Sequence, residues 1–173
     1  NVNYLNAQVG ETYDSLINAV KAEAWNLRYS DKNKADKKLR EGLKLAKQAK
    51  NEVDIGYFYR KLIAQKGTAG ELDSARFYFY RGTDFYWKTK KRKGSGMKDP
   101  GLRAHLYSEL AEAFNNNEKQ AAATRYYEFA GSLYKDLNDI VGVGIVEINL
   151  GNILYTQSNY AAALQKFESA RDI

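Results

Sequence analysis

The sequence predicts an all-α chain whose helices pair into about four hairpins that stack as a right-handed α-solenoid. Three observations carry this. Proline occurs once in 173 residues, at Pro100, so helices can run nearly everywhere. Apolar residues recur at helical rather than alternating spacing. A triplet of small, large and small residues then returns in register along the chain. Ala163, Phe167 and Ala170 match Ala123, Tyr127 and Ala130 forty residues earlier, then Ala75, Phe79 and Gly82, then Ala35, Leu39 and Gly42. Small residues let helices cross closely, and the large one fills the space beside the crossing. A single hairpin leaves an apolar face uncovered, so it must stack on a neighbour.

The first repeat, 12–51, takes its second helix from the lysine-rich stretch Lys32 to Lys50, with Leu39, Leu43 and Ala46 inward. That helix is amphipathic enough to lie on a membrane, but packing claims the same face. Its first helix should place Ala22 in an apolar column shared with Leu62, Leu110 and Leu150. Glu23, Asn26 and Lys66 interrupt the neighbouring columns, so the first helices of the two early repeats should be tilted or partly exposed. The second repeat, 52–92, carries Ala75, Phe79 and Gly82 on its second helix, with Gly67 to Gly70 as the turn. The third, 100–138, restarts at Asp99-Pro100, with proline near the first turn. In the fourth, 139–173, Ile145, Ile148, Leu150, Ile153 and Leu154 form one stripe and Ala163, Leu164, Phe167 and Ala170 another, across the polar turn Thr156 to Asn159. Glycine pairs such as Gly142 and Gly144 lack the strand-turn-helix context of a phosphate loop and read as junctions.

Composition narrows the function. The chain is 44% hydrophobic and 28% charged, which excludes bulk disorder. It has no cysteine and one histidine, His105, so thiolate chemistry, zinc sites and histidine triads lack their parts. No metal, no cofactor and no enzymatic activity is expected. No apolar run is long enough to span a bilayer. The net charge of +6 has a local origin. Lys88, Lys90, Lys91, Arg92, Lys93 and Lys98 stand together without an acid, and the rest of the chain balances at 21 basic against 21 acidic residues. The repeat spacing is 48 rather than 40 at this point, so the basic run reads as an inter-repeat insertion, 88–99. A solvated linker is the plain reading of it. The alternative function is binding of nucleic acid or an anionic surface through Lys88 to Lys98.

The stretch Asn149-Leu150-Gly151-Asn152-Ile153-Leu154-Tyr155, followed by Asn159-Tyr160-Ala161-Ala162-Ala163-Leu164, Phe167 and Ala170, resembles the tetratricopeptide repeat. The resemblance spans roughly residues 12 to 173 and is clearest in the last two repeats. HEAT and armadillo repeats have similar periods but lack this triplet. The 40-residue length is similar to repeats of bacterial regulatory proteins: peptide-sensing regulators and the input domains of sensor kinases and transcription regulators. The resemblance implies a non-catalytic scaffold that binds a protein or peptide in a groove lined by the first helices. The groove positions it implies are Tyr57, Arg60 and Ala64, then His105, Ser108 and Glu112, then Ile145, Ile148, Asn152 and Tyr155. Arg60 could hold a carboxylate, and Asn152 a peptide backbone. The carboxylate clamp of cochaperone arrays has no match, since its paired positions hold Val20/Ala24, Arg60/Ala64, Ser108/Glu112 and Ile148/Asn152. His105 stands beside Glu109 and Glu112 at helical spacing. Among the fourteen tyrosines, Tyr126, Tyr127, Tyr134, Tyr155 and Tyr160 fall near packing columns. The chain opens on Asn1 without a signal-peptide pattern, which reads as a removed leader or an excised piece, and it stops at Ile173 within a helical pattern, which favours a segment of a longer protein. The last hairpin has no polar cap, which predicts self-association there or further helices.

Overall fold

The computed structural model describes the backbone of residues 2–91 and 99–173, and side chains from residue 12 onward within those ranges. Among the described residues the chain is all-α, with eight helices and no strand. In order they are α1 (Val2–Leu27), α2 (Lys32–Gln48), α3 (Glu52–Thr68), α4 (Leu72–Lys90), α5 (Leu102–Asn115), α6 (Gln120–Asp136), α7 (Ile140–Thr156) and α8 (Tyr160–Arg171). Each helix packs on the next one in the chain, and α3 also packs on α5.

The turns explain why the spacing is so regular. Asn51, Glu71, Lys119, Asp139 and Asn159 each cap the following helix. Each also donates its backbone N–H to the carbonyl five residues back: Ala46, Lys66, Phe114, Tyr134 and Leu154, at 2.9–3.0 Å. The residue before each cap is left-handed, at Lys50, Gly70, Glu118, Asn138 and Ser158. This six-to-one closure satisfies an orphan carbonyl of one helix while the same residue starts the next. One turn type is used five times, spaced by 20 residues except between Glu71 and Lys119, where the spacing is 48. Asp31, Asn51, Asp139 and Asn159 add a side-chain cap to a backbone N–H three residues on.

The alanine of the repeated triplet is the fourth residue of α2, α4, α6 and α8 alike. All four, Ala35, Ala75, Ala123 and Ala163, are buried. Leu39, Phe79 and Tyr127 are buried beside them, as are Gly42, Gly82 and Ala130. In the last copy Phe167 and Ala170 are only half-buried, since no described helix packs beyond α8.

The third column has a direct reading. A Cβ added to Gly42 would fall within 3 Å of the Phe58 ring, and one added to Gly82 within 3 Å of a Leu106 methyl. Gly131, beside Ala130, meets Val146 in the same way at 3.2 Å. Phe58, Leu106 and Val146 are themselves spaced by 48 and 40, so the first-helix side of this contact keeps the repeat register while the glycine side shifts by one residue in the third copy.

The apolar column of the first helices holds at Leu62, Leu110 and Leu150, all buried. It does not hold at Ala22, which is exposed. That column faces the preceding second helix, as Phe58 faces Gly42. Among the described residues nothing precedes α1, which instead buries Ile17, Val20 and Ala24. Leu39, Leu43 and Ala46 of α2 point into the core, which takes the lysine-rich helix's apolar face. Two of the three interrupting residues, Glu23 and Lys66, are held by ion pairs. Glu23 pairs with Lys38 at 2.8 Å, and Lys66 lies between Asp36 at 3.2 Å and Glu71 at 3.0 Å. Burial works against the Lys66 charge, but the hydrogen bonds to Glu71 and Asp36 outweigh it and hold the ammonium above its usual pKa.

Candidate functional site

The ten expected groove positions do not form one open surface. The structure divides them into an interlocked middle and two open ends.

The middle is built from α3, α5 and α6. Gly67 of α3 lies against Ala113 of α5, close enough that a Cβ on Gly67 would fall within 3 Å of the Ala113 backbone. Asn117 fastens this crossing by donating its side-chain amide to the Gly67 carbonyl at 2.8 Å. The close approach brings Arg60 to Glu109, with Nη2 donating to Oε1 at 3.3 Å. The carboxylate expected for Arg60 is thus one from its own chain. Burial pushes the Glu109 carboxyl up from its usual range, and the nearby Arg60 charge offsets only part of this.

His105 is engaged by Tyr134, not by the acids at helical spacing. Its Nδ1 lies 2.8 Å from the Tyr134 hydroxyl, with the rings edge to face at 5.5 Å. Burial, and then the Arg60 charge, hold the imidazole below its usual pKa. Burial raises the Tyr134 hydroxyl to about 12, with Ser108 as a hydrogen-bond partner. Three expected groove residues, Arg60, His105 and Ser108, are therefore joined to partners within the fold. Glu112 remains exposed.

One open end lies between α1 and α3. Tyr57 and Ala64, two expected positions, line a pocket there with Trp25, Arg28, Tyr29 and Lys61. The other end is the outer face of α7. Val141, Ile145, Ile148, Asn152 and Tyr155 follow one another at helical steps of four and three. The four apolar or aromatic members are 69%, 49%, 46% and 60% exposed. The opposite face, with Val146, Leu150 and Ile153, is buried, so α7 is apolar nearly all round while only half of it is covered. Tyr155 and Tyr160, which sequence position places near packing columns, are exposed and pair edge to face at 5.3 Å. Tyr127 and Tyr134 are buried.

Sequence reading missed Trp25, Arg28, Tyr29, Lys61 and Val141. Lys61 was one helical turn from Tyr57 and adjacent in spacing to Ala64, which is the signal that could have found it. Trp25, Arg28 and Tyr29 lie at and just past the end of α1, where no repeat column reaches.

The basic run is only partly described. Lys88 and Lys90 belong to the last turn of α4, so the helix continues into the expected insertion, and Lys91 follows it. Arg92, Lys93 and Lys98 lie outside the described residues. Lys88 pairs with Asp84 at 2.7 Å, and the Lys90 ammonium sits 5.4 Å from the centre of the Trp87 ring. Among the described residues, no group of three or more His, Cys, Asp or Glu side chains is placed to hold a metal ion. No helix among them is long and apolar enough to cross a membrane.

No protein-family model matches the chain, and no curated protein matches it.

Proposed function

We propose that the chain is a non-catalytic scaffold of the tetratricopeptide type, four hairpins stacked as a right-handed solenoid, which binds a protein or peptide along its first helices. The observation that carries this reading is the uncovered row Val141, Ile145, Ile148, Asn152 and Tyr155 on α7. A contiguous apolar stripe of this kind, with a hydrogen-bonding amide in its middle, is what a docking surface requires and a solvated face does not. The recurrence of the same buried triplet and the same turn supports the stacked arrangement behind it. In such a protein, binding would serve sensing or assembly within a larger regulatory system.

The reading through the basic run gains less support. Lys88 is taken by Asp84, and Lys90 lies over aromatic rings of its own helix.

A displayed peptide library screened on the purified chain provides ligands for the test. The variant Ile145→Ser, Ile148→Ser, Tyr155→Ser changes only exposed side chains, so its helix content should match the parent by circular dichroism. The selected peptides should bind it at least about tenfold more weakly. Equal binding by both proteins would contradict the assignment.

A further inference from the structure

We propose that the pocket between α1 and α3 is a site for an acidic side chain carried next to a large apolar one on an extended peptide, an inference that rests on the peptide-binding reading above. The pocket is built around an unmatched charge. The Arg28 guanidinium carbon lies 3.4 Å from the centre of the Trp25 ring and 4.5 Å from that of Tyr29. Its Nη1 donates to the Trp25 carbonyl, while its Nε is enclosed with no acceptor. Lys61, across the pocket on α3, has its ammonium 5.8 Å from the centre of the Tyr57 ring. No carboxylate lines the pocket among the described residues. Among the described residues neither cation has a carboxylate within ion-pair distance. The contrast is Arg60, the residue before Lys61 on α3, whose guanidinium is paired with Glu109 at 3.3 Å.

Two cations among aromatic walls are partly stripped of water with no described carboxylate at ion-pair distance. A carboxylate placed between them supplies the counter-charge with charge-assisted hydrogen bonds. The choice of a side chain over a peptide C-terminus follows from the donors. A terminal carboxylate is held together with the main chain beside it, which calls for amide donors. Among the described lining residues the one side-chain amide, Gln65, spends one N–H on the Lys32 carbonyl at 3.2 Å, and the Thr68 hydroxyl donates to the Ala64 carbonyl at 2.9 Å, which leaves a single amide N–H for a main chain. The larger share of what remains is the two cations and the exposed faces of Trp25 and Tyr29, which suit a carboxylate with an apolar neighbour.

The test uses intrinsic fluorescence, because Trp25 is one of two tryptophans. The Trp87→Phe protein leaves it as the sole reporter. Three short acetylated peptides are titrated: one with glutamate between two phenylalanines and an amidated end, one with glutamine in its place, and one with glutamine and a free C-terminal carboxylate. The glutamate peptide should change Trp25 emission and bind roughly 10- to 100-fold more tightly than the amidated glutamine peptide, the value of one charge-assisted hydrogen bond. Arg28→Gln should remove that difference. Lys61→Gln, which leaves the Arg28 stack with Trp25 and Tyr29 untouched, should reduce it and so provides a check should the first variant disturb α1. Equal binding of the glutamate and glutamine peptides, or a preference for the free C-terminus, overturns the inference. So does a charge preference that survives in both variants. If none of the three peptides binds while library peptides still depend on the α7 row, this inference fails and the proposed function stands. If library binding ignores the α7 row, that function fails separately.

Discussion

Two glycine-to-alanine substitutions should have opposite signs. Gly67 and Gly144 are both helical, so alanine gains about 0.8–1.0 kcal/mol of helix propensity at each. At Gly144 nothing lies within 4 Å of the added methyl, and that gain should appear nearly whole. At Gly67 the methyl would come to 2.7 Å from the Ala113 Cα, a backbone atom that no rotamer change can move. An ordinary carbon contact is about 3.5–4.0 Å, so α3 and α5 must part by roughly 1 Å. Overpacking of this kind costs about 1–3 kcal/mol. The Asn117 hydrogen bond to the Gly67 carbonyl spans the same crossing, and weakening it costs about 1 kcal/mol more. Gly67→Ala should therefore be less stable than the parent by about 1–3 kcal/mol, and Gly144→Ala more stable by about 1 kcal/mol. For a chain of this length, the two melting temperatures by circular dichroism should differ by roughly 4–16 °C. Shifts in the same direction would refute the assignment of Gly67 to a closed crossing and Gly144 to an open face.

Two more predictions follow. Glu118 is an exposed non-glycine residue in the left-handed region, at φ 59°; Glu118→Gly should relieve that strain and raise stability in urea unfolding by about 0.5–1 kcal/mol. His105 has a depressed folded-state pKa, so its neutral form's contribution is fully present above the usual imidazole value of 6.5 and is lost as pH falls through the lower folded value. Unfolding free energy should decline over that acidic interval in the parent, and the decline should be smaller in His105→Gln, measured by denaturation at a series of pH values.

The sequence shows the second helices well because their small residues serve one purpose, close crossing, and nothing else at those positions would pack. Ala35, Ala75, Ala123 and Ala163 are buried to the same degree for that reason. The first helices read less clearly. Ala22 falls in an apolar column yet is exposed, because burial there depends on a preceding helix pair, which periodicity within α1 does not reveal. The partners of the expected groove positions are not legible, because repeat offsets give positions and not partners. Glu109 and Tyr134 come to Arg60 and His105 from other helices, at separations of 49 and 29 residues that no local spacing encodes. The apolar row on α7 was legible in Ile145, Ile148 and Tyr155. That the row is uncovered was not, since an apolar helix looks alike in sequence whether one face or both are buried.

The packing of α7 on α6 joins the last two helix pairs, and a chain without cysteine allows it to be measured directly. Gly131 of α6 and Val146 of α7 face each other, with a Cβ on the glycine 3.9 Å from that of the valine, inside the range of about 3.5–4.5 Å that a disulfide needs. Gly131→Cys with Val146→Cys should oxidise to an intramolecular disulfide, seen by non-reducing peptide mapping, while Gly131→Cys with Gly144→Cys should not. A Gly131–Val146 pair that stays reduced, or links only between molecules, would contradict the packing of one pair on the next.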